Sequence, residues 1–478
     1  MALIDRLLDR YHMRKRGWQV LEFMAAARYP QAMTPRAWRE VRSMRRAIAR
    51  AWHLSGSGSQ AFREHAVPEV SVVIPAFNQW GLTRRCLASL SESSAAHRLE
   101  VIVVDDCSTD ETAASLRGVA GVRVITNARN EGFNRAASLG ARAAQGRYVV
   151  FLNNDTVVLP GWLDGLLAAM SDADVGAAGS KLVFPSGRLQ EAGCLVWSDG
   201  SSLMLGRWRS PADAGYDFLR EVDYCSAASL MVRSDVLREV GYFDERFAPA
   251  YFEDADLCFS VRARGLRVVY APASAVAHVE GQSHAGGFAY GAANVRGPAH
   301  QQRNRGLFVE KWREELRAHL PRPQRPDVRE VWGSHSGTGV RVLVCDQRWG
   351  DPTNPISEAT YQRFHELARS TSRVTLLTAG AGPSRGAGRL QDAGVEVVRG
   401  NTAARGRFVR GRAGFYDIIV VRGARSRTPA TATLRRHNPH AFVAFNPHEL
   451  EGARLRGTVG GASGRDALTW LFANTDEQ

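Results

Sequence analysis

The feature that most constrains this chain is a regular alternation, from Glu69 onward, of short β-branched runs with longer stretches of helical character. The runs before residue 160 are VSVVIP, VIVVDD, VRVIT and YVVFLNND. Continuous apolar runs of this length are typical of strands that are buried on both faces. Because the helical stretches between them can serve as crossover connections, the pattern predicts βαβ units and a parallel sheet.

Polar side chains follow each of these strands where the apolar run stops. They are Asn78, Asp105 and Asp106, Asn127, and the group Asn153, Asn154 and Asp155. In an open parallel sheet, ligands bind just beyond the carboxyl ends of the strands, so we expect these side chains to lie along one rim of one site. Asn and Asp also favour tight turns, so a purely structural role for the last group remains an alternative.

The residues of this rim argue against two common nucleotide sites. No GxGxxG follows the first strand, where Pro75-Ala76-Phe77-Asn78 stands instead, and no GxxxxGK[ST] occurs in the chain. A dinucleotide-binding fingerprint and a P-loop are therefore disfavoured. Carboxylates at the rim can instead accept hydrogen bonds from a nucleoside, or hold a hard divalent cation together with phosphates and water.

A second group of candidate residues lies between about residues 250 and 280. Glu253, Asp254 and Asp256 precede a helix-like run. Acidic residues at a helix start are favoured by the helix dipole. For Glu253 and Asp256 this structural explanation and a functional one weigh equally. For Asp254 we favour catalysis, because a fixed carboxylate beside a sugar hydroxyl can take its proton. His278 follows a strand-like run and is either structural or a metal ligand.

Composition adds weaker constraints. The 478 residues carry a formal net charge of +14, almost entirely from Arg, and six scattered cysteines. The charge is compatible with nucleic acid, an anionic membrane surface or phosphorylated substrates, and equally with a bias of the whole sequence. The cysteines form no disulfide framework or zinc pattern, so the expected compartment is the cytoplasm. No apolar stretch approaches the roughly 20 residues of a membrane span, and the N-terminus does not resemble a secretory signal.

Changes in composition along the chain predict four segments. Residues 1–66 form a basic helical prefix, with a helix starting at Pro35, which either contacts a membrane or partner or packs on the next domain. Residues 67–320 contain the strands and candidate residues described above. The Pro- and Arg-rich stretch 321–338 is typical of an interdomain linker, and residues 339–478 return to an α/β pattern.

Several of these motifs, taken together and in order, resemble a known family. They are SVVIPAFNQ, VIVVDDCSTDET, NEGFNRAASLGARAAQGRYVVFLNNDT, GYFDERFAPAYFEDADLCFSVRARGLRVVYAP and AHVEGQS. From about Val70 to Trp312 the chain resembles a family 2 glycosyltransferase of the GT-A fold, in the group of rhamnosyl-, galactofuranosyl- and O-antigen-type members.

The resemblance implies a role for each matching position. Asp254 would be the general base, and Asp155 with His278 would bind a divalent metal, Mn²⁺ or Mg²⁺. Arg303 and Arg305 lie where such enzymes often place basic residues near the diphosphate, although the match there is weak. The residues implied in donor binding are Pro75, Ala76, Asn78, Asp105, Asp106, Asn130, Gly132, Asn153 and Asn154. The chain departs from the family's Asp-x-Asp motif, because Asn-Asn-Asp leaves Asp155 as the one sure carboxylate there.

The last segment resembles the first half of a GT-B glycosyltransferase, through VRVLVCD, YDIIVVRG and the placement of Asp346 and Pro352. The fold class expected for the whole chain is therefore α/β. It combines a GT-A nucleotide-diphospho-sugar transferase fold with a helical N-terminal prefix and a C-terminal Rossmann-like half-domain.

The function expected from the resemblance is an inverting, metal-dependent transfer of a sugar from a nucleoside-diphosphate donor to a saccharide or lipid-linked saccharide. It would serve cell-surface polysaccharide synthesis in the cytoplasm or at the inner face of the cell membrane, with peripheral membrane contact and no nucleic acid partner. Two alternatives are a nucleotidyltransferase and a non-catalytic nucleotide-sugar-binding scaffold. A nucleotidyltransferase usually carries a Gly-rich basic loop after the first strand, and the segment IPAFNQWG at that place has no such loop.

Overall fold

The computed structural model describes residues 35–54, 61–93, 96–279, 297–323, 340–346, 358–370, 373–379, 385–422 and 429–444. These residues form two compact units. Unit 1 takes the described residues up to Leu316, apart from Trp197–Asp199 and Asp217–Arg220. Those two stretches and the described residues beyond Leu316 form unit 2.

Unit 1 is organised around a ten-stranded sheet. The strands up to residue 278 are β1 Val70–Ala76, β2 Leu99–Asp105, β3 Val122–Thr126, β4 Tyr148–Leu152, β5 Thr156–Val158, β6 Val175–Val183, β7 Leu189–Glu191, β8 Cys194–Val196, β9 Ser202–Met204, β10 Arg220–Glu221, β11 Ser229–Arg233 and β12 Arg267–His278. Their order is β10-β12-β6-β11-β4-β1-β2-β3, with β5 on β12 and β7 on β6, while β8 and β9 form a separate pair.

The sheet has a parallel half and a mixed half. β1 pairs in parallel with β2 and β4, and β2 pairs in parallel with β3. This confirms the parallel sheet predicted from the β-branched runs, and it brings the four polar strand ends to one edge. β11 runs antiparallel to both β4 and β6, so the chain direction reverses beside β4.

Helices cover this sheet and connect its strands. They are α1 Pro35–Leu54, α2 Trp80–Ser93, α3 Thr112–Leu116, α4 Phe133–Ala143, α5 Trp162–Met170, α6 Ser234–Val240, α7 Glu253–Arg262, α8 Gly297–Lys311 and α9 Arg313–Leu316, with short 3₁₀ turns at Ala214–Tyr216 and Glu245–Phe247. Gly140 lets α4 lie close to β1, because a Cβ at this position would be 2.4 Å from Cγ1 of Val73.

The described part of helix α1 begins at Pro35 and packs on unit 1. The residues before Pro35 lie outside the described residues, so the predicted helix start there stays a prediction. Its inner face buries Val41 and Ile48. A Cβ on Gly187 would lie 2.5 Å from the carbonyl oxygen of Val41, so the backbone of the 187 turn touches the helix directly. The guanidinium of Arg85 lies 4.6 Å above the ring of Trp52. The part of the prefix that the structure describes therefore belongs to the same compact unit as the sheet.

Unit 2 has its own parallel sheet of five strands, in the order β15-β14-β13-β16-β17. The strands are β13 Arg341–Asp346, β14 Arg373–Thr378, β15 Val395–Arg399, β16 Ile418–Arg422 and β17 Phe442–Ala444, and the helices are α10 Glu358–Ser370, α11 Arg385–Asp392, α12 Thr402–Gly411 and α13 Pro429–His437. Numbered within the unit, this order is 3-2-1-4-5, which is the Rossmann-like arrangement predicted for the segment. Its resemblance to half of a GT-B enzyme stays a prediction.

Some predicted features fall outside the described residues, namely the link at 55–60 and most of the linker at 321–338. The predicted boundaries at residues 66, 320 and 338 also stay predictions. Among the residues that the structure describes, no helix combines the length and apolar character needed to cross a membrane.

Candidate active site

The rim begins at the end of β1, where Pro75 and Ala76 are buried as the strand's last residues. Asn78 follows in a left-handed conformation with φ of 54°. Its side-chain oxygen accepts hydrogen bonds from the amides of Thr109 at 2.7 Å and Asp110 at 3.2 Å. The side chain of Asn78 therefore ties the loop after β1 to the loop after β2.

The two aspartates after β2 differ in what they bind. Both oxygens of Asp106 are engaged with the segment 127–132: Oδ1 accepts from Asn127 Nδ2 at 2.7 Å, and Oδ2 accepts from the amide of Gly132 at 2.8 Å. Asp105 Oδ1 accepts from the amide of Ser108 at 3.1 Å, whereas its Oδ2 is buried without a hydrogen-bond partner. Asp106 thus shapes the neighbouring loop, whereas one oxygen of Asp105 is buried without a hydrogen-bond partner.

The loop that Asp106 holds carries the predicted residues Asn130 and Gly132. Asn130 is exposed. Gly132 has φ of 83°, and a Cβ there would lie 2.6 Å from the Cβ of Pro249. Only glycine fits this position without strain. The short distance also shows that the loop contacts the segment that leads to Asp254.

After β4, the three polar residues face different ways. Asn154 Nδ2 donates to Thr83 Oγ1 in α2 at 3.0 Å, so its side chain contacts that helix. Asp155 Oδ1 lies 3.2 Å from Nε2 of His278, and both side chains are buried. Asn153 Nδ2 lies 3.4 Å from the same imidazole nitrogen. The structure therefore brings together Asn153, Asp155 and His278, and their predicted roles at the site stay predictions.

The chemistry of this group fits a divalent cation. Apart from the imidazole contact, both carboxylate oxygens of Asp155 are buried without hydrogen-bond partners, and so is Oδ1 of Asn153. A carboxylate, an imidazole and an amide oxygen leave further coordination positions for diphosphate and water. Within the described part of the chain, no cluster of three or more His, Cys, Asp or Glu side chains could hold a metal alone. Diphosphate oxygens of the substrate and water would have to complete the coordination of the cation.

Asp254 lies in the first turn of α7, after two residues with unusual backbone geometry. Tyr251 and Phe252 have φ of 78° and 72°, a region that residues other than glycine rarely adopt. The half-buried Asp254 carboxylate accepts from the amide of Ala255 at 2.8 Å. Burial raises the pKa of Asp254 to about 6, and the backbone amides of Ala255 and Ala227 oppose the rise by stabilising the charged form. At neutral pH the group is therefore a carboxylate of increased basicity.

The two acidic neighbours of Asp254 have different environments. The carboxylate of Asp256 binds Lys311 Nζ at 2.7 Å and the indole nitrogen of Trp312 at 2.8 Å. Its contacts are thus those of a structural anchor between α7 and the end of α8. Burial raises the pKa of Glu253 well above its usual value, and the charge of Asp254 adds to the rise.

One carboxyl group at the site was not foreseen from the sequence. Glu191, the last residue of β7, is buried, and its Oε1 accepts from the amide of Ser226 at 3.0 Å. Burial raises the pKa of Glu191 to about 7, and the charge of Asp254 contributes. The run RLQEAG contains no strand-end or helix-start signal that could have marked it.

A three-residue turn before β11 connects the parts of the site. The amide of Ser226 donates to Glu191 at 3.0 Å, and the carbonyl oxygen of Ala228 accepts from the amide of Asn153 at 3.1 Å. The amide of Ala227, between them, stabilises the charged form of Asp254. Consecutive backbone groups thereby fix two carboxyl groups and the start of the Asn-Asn-Asp segment relative to one another. We name residues 226–228 the clamp turn.

Comparison with known proteins identifies the family. The sequence profile described as Glycosyl transferase family 2 matches residues 71–233, a stretch that runs from β1 to β11. An N-acetylglucosaminyltransferase of Bradyrhizobium elkanii is 33% identical over 123 residues, which are 24% of this chain and 68% of that relative. The chain belongs to glycosyltransferase family 2. The family and the GT-A fold expected from the motifs are thereby confirmed.

Other similar proteins are longer or more distant. The O-antigen biosynthesis protein RfbC of Myxococcus xanthus is 33% identical over 228 residues, which are 45% of this chain but 18% of that protein. A crystal structure of GalNAc-T7 with UDP, GalNAc and Mn²⁺ matches with a TM-score of 0.42 and 17% identity, covering 53% of this chain and 50% of that chain. The chain thus spans less than a fifth of the length of the O-antigen relative.

Proposed function

We propose that unit 1 transfers a sugar, with inversion, from a nucleoside-diphosphate donor to a hydroxyl of a saccharide or lipid-linked saccharide. The observation that carries this proposal is the half-buried Asp254 carboxylate, held by the clamp turn that also holds the start of the Asn-Asn-Asp segment. A family 2 relative named for O-antigen biosynthesis supports a role in cell-surface polysaccharide synthesis.

Donor binding is assigned to the rim at the ends of β1, β2 and β4. The buried Oδ2 of Asp105 is suited to accept a hydrogen bond from the base or ribose. Asn78 and Asp106 support this surface indirectly, because their side-chain oxygens bind the loops that follow β2 and β3. The proposed contacts of Pro75, Ala76, Asn130, Gly132, Asn153 and Asn154 follow from the family resemblance.

The proposed reaction is a single displacement. Asp254 accepts the proton of the acceptor hydroxyl as that oxygen attacks the anomeric carbon. The new carbon–oxygen bond forms as the bond to the nucleoside diphosphate breaks on the opposite face, so the configuration inverts. A divalent cation held by Asp155 and His278 would supply charge neutralisation for the departing diphosphate.

Asp254→Asn tests this function directly. We expect turnover to fall about 10²- to 10⁴-fold, because the amide cannot accept the proton, while affinity for the nucleotide sugar changes little. The measurements are donor hydrolysis and transfer over a panel of nucleotide sugars, with calorimetry for binding.

Asp235→Asn is the matched control. Asp235 also lies in the first turn of a helix and accepts from the next amide at 2.8 Å, but it is exposed in α6. We expect it to leave turnover unchanged. Near-normal turnover of Asp254→Asn would refute the base assignment. Nucleotide incorporation without sugar transfer would favour a nucleotidyltransferase, and partner capture with no nucleotide binding would favour a scaffold.

We also propose that α1 makes a peripheral contact with an anionic membrane, at the inner face of the cell membrane. The helix buries one face on unit 1, and its opposite face is basic. The exposed arginines are Arg39, Arg42, Arg45, Arg46 and Arg50. Such a face is complementary to the negative surface potential of the cytoplasmic leaflet, where a lipid-linked acceptor would be found.

A further inference from the structure

Helix α8 contains a fully buried asparagine that the sequence motifs did not single out. The side-chain nitrogen of Asn304 lies 2.8 Å from the carbonyl oxygen of Phe247, 3.0 Å from that of Ala250 and 2.9 Å from that of Tyr251. Its side-chain oxygen accepts from Arg303 Nη1 at 3.1 Å. One amide group thereby gathers three carbonyl groups of the segment that precedes α7.

These carbonyl groups belong to a strained turn. Tyr251 and Phe252 both occupy the left-handed region, and neither is glycine. Such residues are strained and persist where surrounding contacts over-determine them. Asn304 supplies such contacts, and Asp254 follows the strained pair after a single residue.

Helix α8 also holds the other side of Asp254. Lys311, the last residue of α8, pairs with Asp256 at 2.7 Å, and Trp312 donates to the same carboxylate. The ring of Phe308 packs on that of Phe252 with a centroid distance of 5.4 Å. The proposed base is therefore flanked on both sides along the chain by residues that α8 fixes.

We propose that Asn304 is a positioning residue for Asp254: its amide group holds the turn at Tyr251 and Phe252 in the conformation that aims the carboxylate at the acceptor. The inference rests on the proposed role of Asp254 as the base. The geometry requires a donor at this position, because the three atoms it meets are carbonyl oxygens. Removal of the amide leaves these buried acceptors without this partner.

The first measurement separates turnover from binding. We expect Asn304→Ala to lower kcat about 10²-fold, the size of effect typical of a misplacement of about 1 Å, while donor KM and UDP affinity change less than about threefold. Asn304→Ser, which keeps one donor, is expected to fall between Asn304→Ala and the wild type. If Asn304→Ala does not fold, the serine variant is measured in its place against the same criterion.

The control is Asn438→Ala in unit 2. Asn438 is also a buried asparagine whose side chain binds backbone groups, through Oδ1 to the amide of Tyr416 and through Nδ2 to the carbonyl of Leu434. We expect this variant to lower thermal stability and to leave kcat unchanged. An equal loss of kcat in the Asn438 variant would overturn a specific positioning role for Asn304.

A double-mutant cycle makes the decisive test. In the Asp254→Asn background, Asn304→Ala should change the residual turnover by less than about threefold, since no base remains to be positioned. Fully additive losses, or a normal kcat for Asn304→Ala beside an inactive Asp254→Asn, would refute the inference and leave the proposed function standing. High transfer activity of Asp254→Asn would refute the base assignment on which the inference rests, whereas absence of sugar transfer by the wild type would refute the proposed function itself.

Discussion

At the scale of single residues, the Asp254 carboxyl combines two opposed requirements. Burial makes it a stronger base, while the amides of Ala227 and Ala255 keep it ionised at neutral pH. Three buried groups near it have raised pKa values: Glu191, Glu253 and Tyr224. Burial is the main cause of each rise, and the charge of Asp254 contributes to it. The thiols whose pKa it also raises are Cys194, Cys225 and Cys258.

The pKa of about 6 predicts a specific pH dependence. Below it Asp254 is protonated and cannot accept the hydroxyl proton, so kcat/KM should fall as the pH drops from 7 to 5, approaching tenfold per unit at the lower end. Sugar transfer measured across this range at saturating metal checks the prediction. A constant kcat/KM over the whole range would contradict it.

Asp155 carries the prediction for metal binding. If it is a ligand, Asp155→Ala should abolish the increase in UDP affinity that Mn²⁺ gives to the wild type, as measured by calorimetry with and without the metal. The control is Asp164→Ala, because Asp164 also pairs with a histidine, His97 at 3.1 Å, but with 69% of its side chain exposed. If UDP affinity in the wild type is the same with and without Mn²⁺, the metal role is wrong.

At the scale of secondary structure elements, the parallel strands could be predicted from the sequence. The clamp turn and the contacts of Asn304, which complete the site, could not. β1 to β4 are marked by β-branched runs with polar ends, a local signal. The clamp turn is recognisable only when β11 lies between β4 and β6, because Glu191 is 35 residues upstream of Ser226 and Asp254 is 27 residues downstream of Ala227. Asn304 likewise acquires a role only when α8 packs on the turn at Tyr251.

Helix α1 gives the prediction at this scale. Replacing Arg39, Arg42, Arg46 and Arg50 by Gln should weaken binding to vesicles with 30% phosphatidylserine by about 10²- to 10³-fold, at about 1 kcal/mol for each arginine near the surface. Sedimentation with vesicles of this composition and with neutral vesicles checks the result.

The matched control removes the same charge from helices of unit 2. Its sites are the exposed arginines Arg407, Arg410, Arg435 and Arg436. Equal losses in both variants would show that total charge, and not the face of α1, determines binding. Binding of the wild type to duplex DNA but not to anionic vesicles would also overturn the proposal.

At the scale of the whole molecule, the residues proposed for chemistry lie in unit 1, and a second parallel sheet forms the core of unit 2. The sequence predicted the second sheet and the parallel half of the first, because both depend on continuous β-branched runs. A helix start favours acids at residues 253, 254 and 256 alike, so the sequence-based choice of Asp254 for catalysis depended on the family motif and stays a prediction. Only packing separates Asp256, bound to Lys311 and Trp312, from Asp254.

The clamp turn has a consequence for how such an enzyme loses its activity. Glu191, Asp254 and Asn153 are attached to three consecutive backbone positions, so a local opening at residues 226–228 releases all of them together. Regions that open as one cooperative unit do so with a single free energy. The site would then exist either assembled or dispersed, and solvent exchange of the Ser226 and Ala227 amide protons would report the fraction of molecules unable to react.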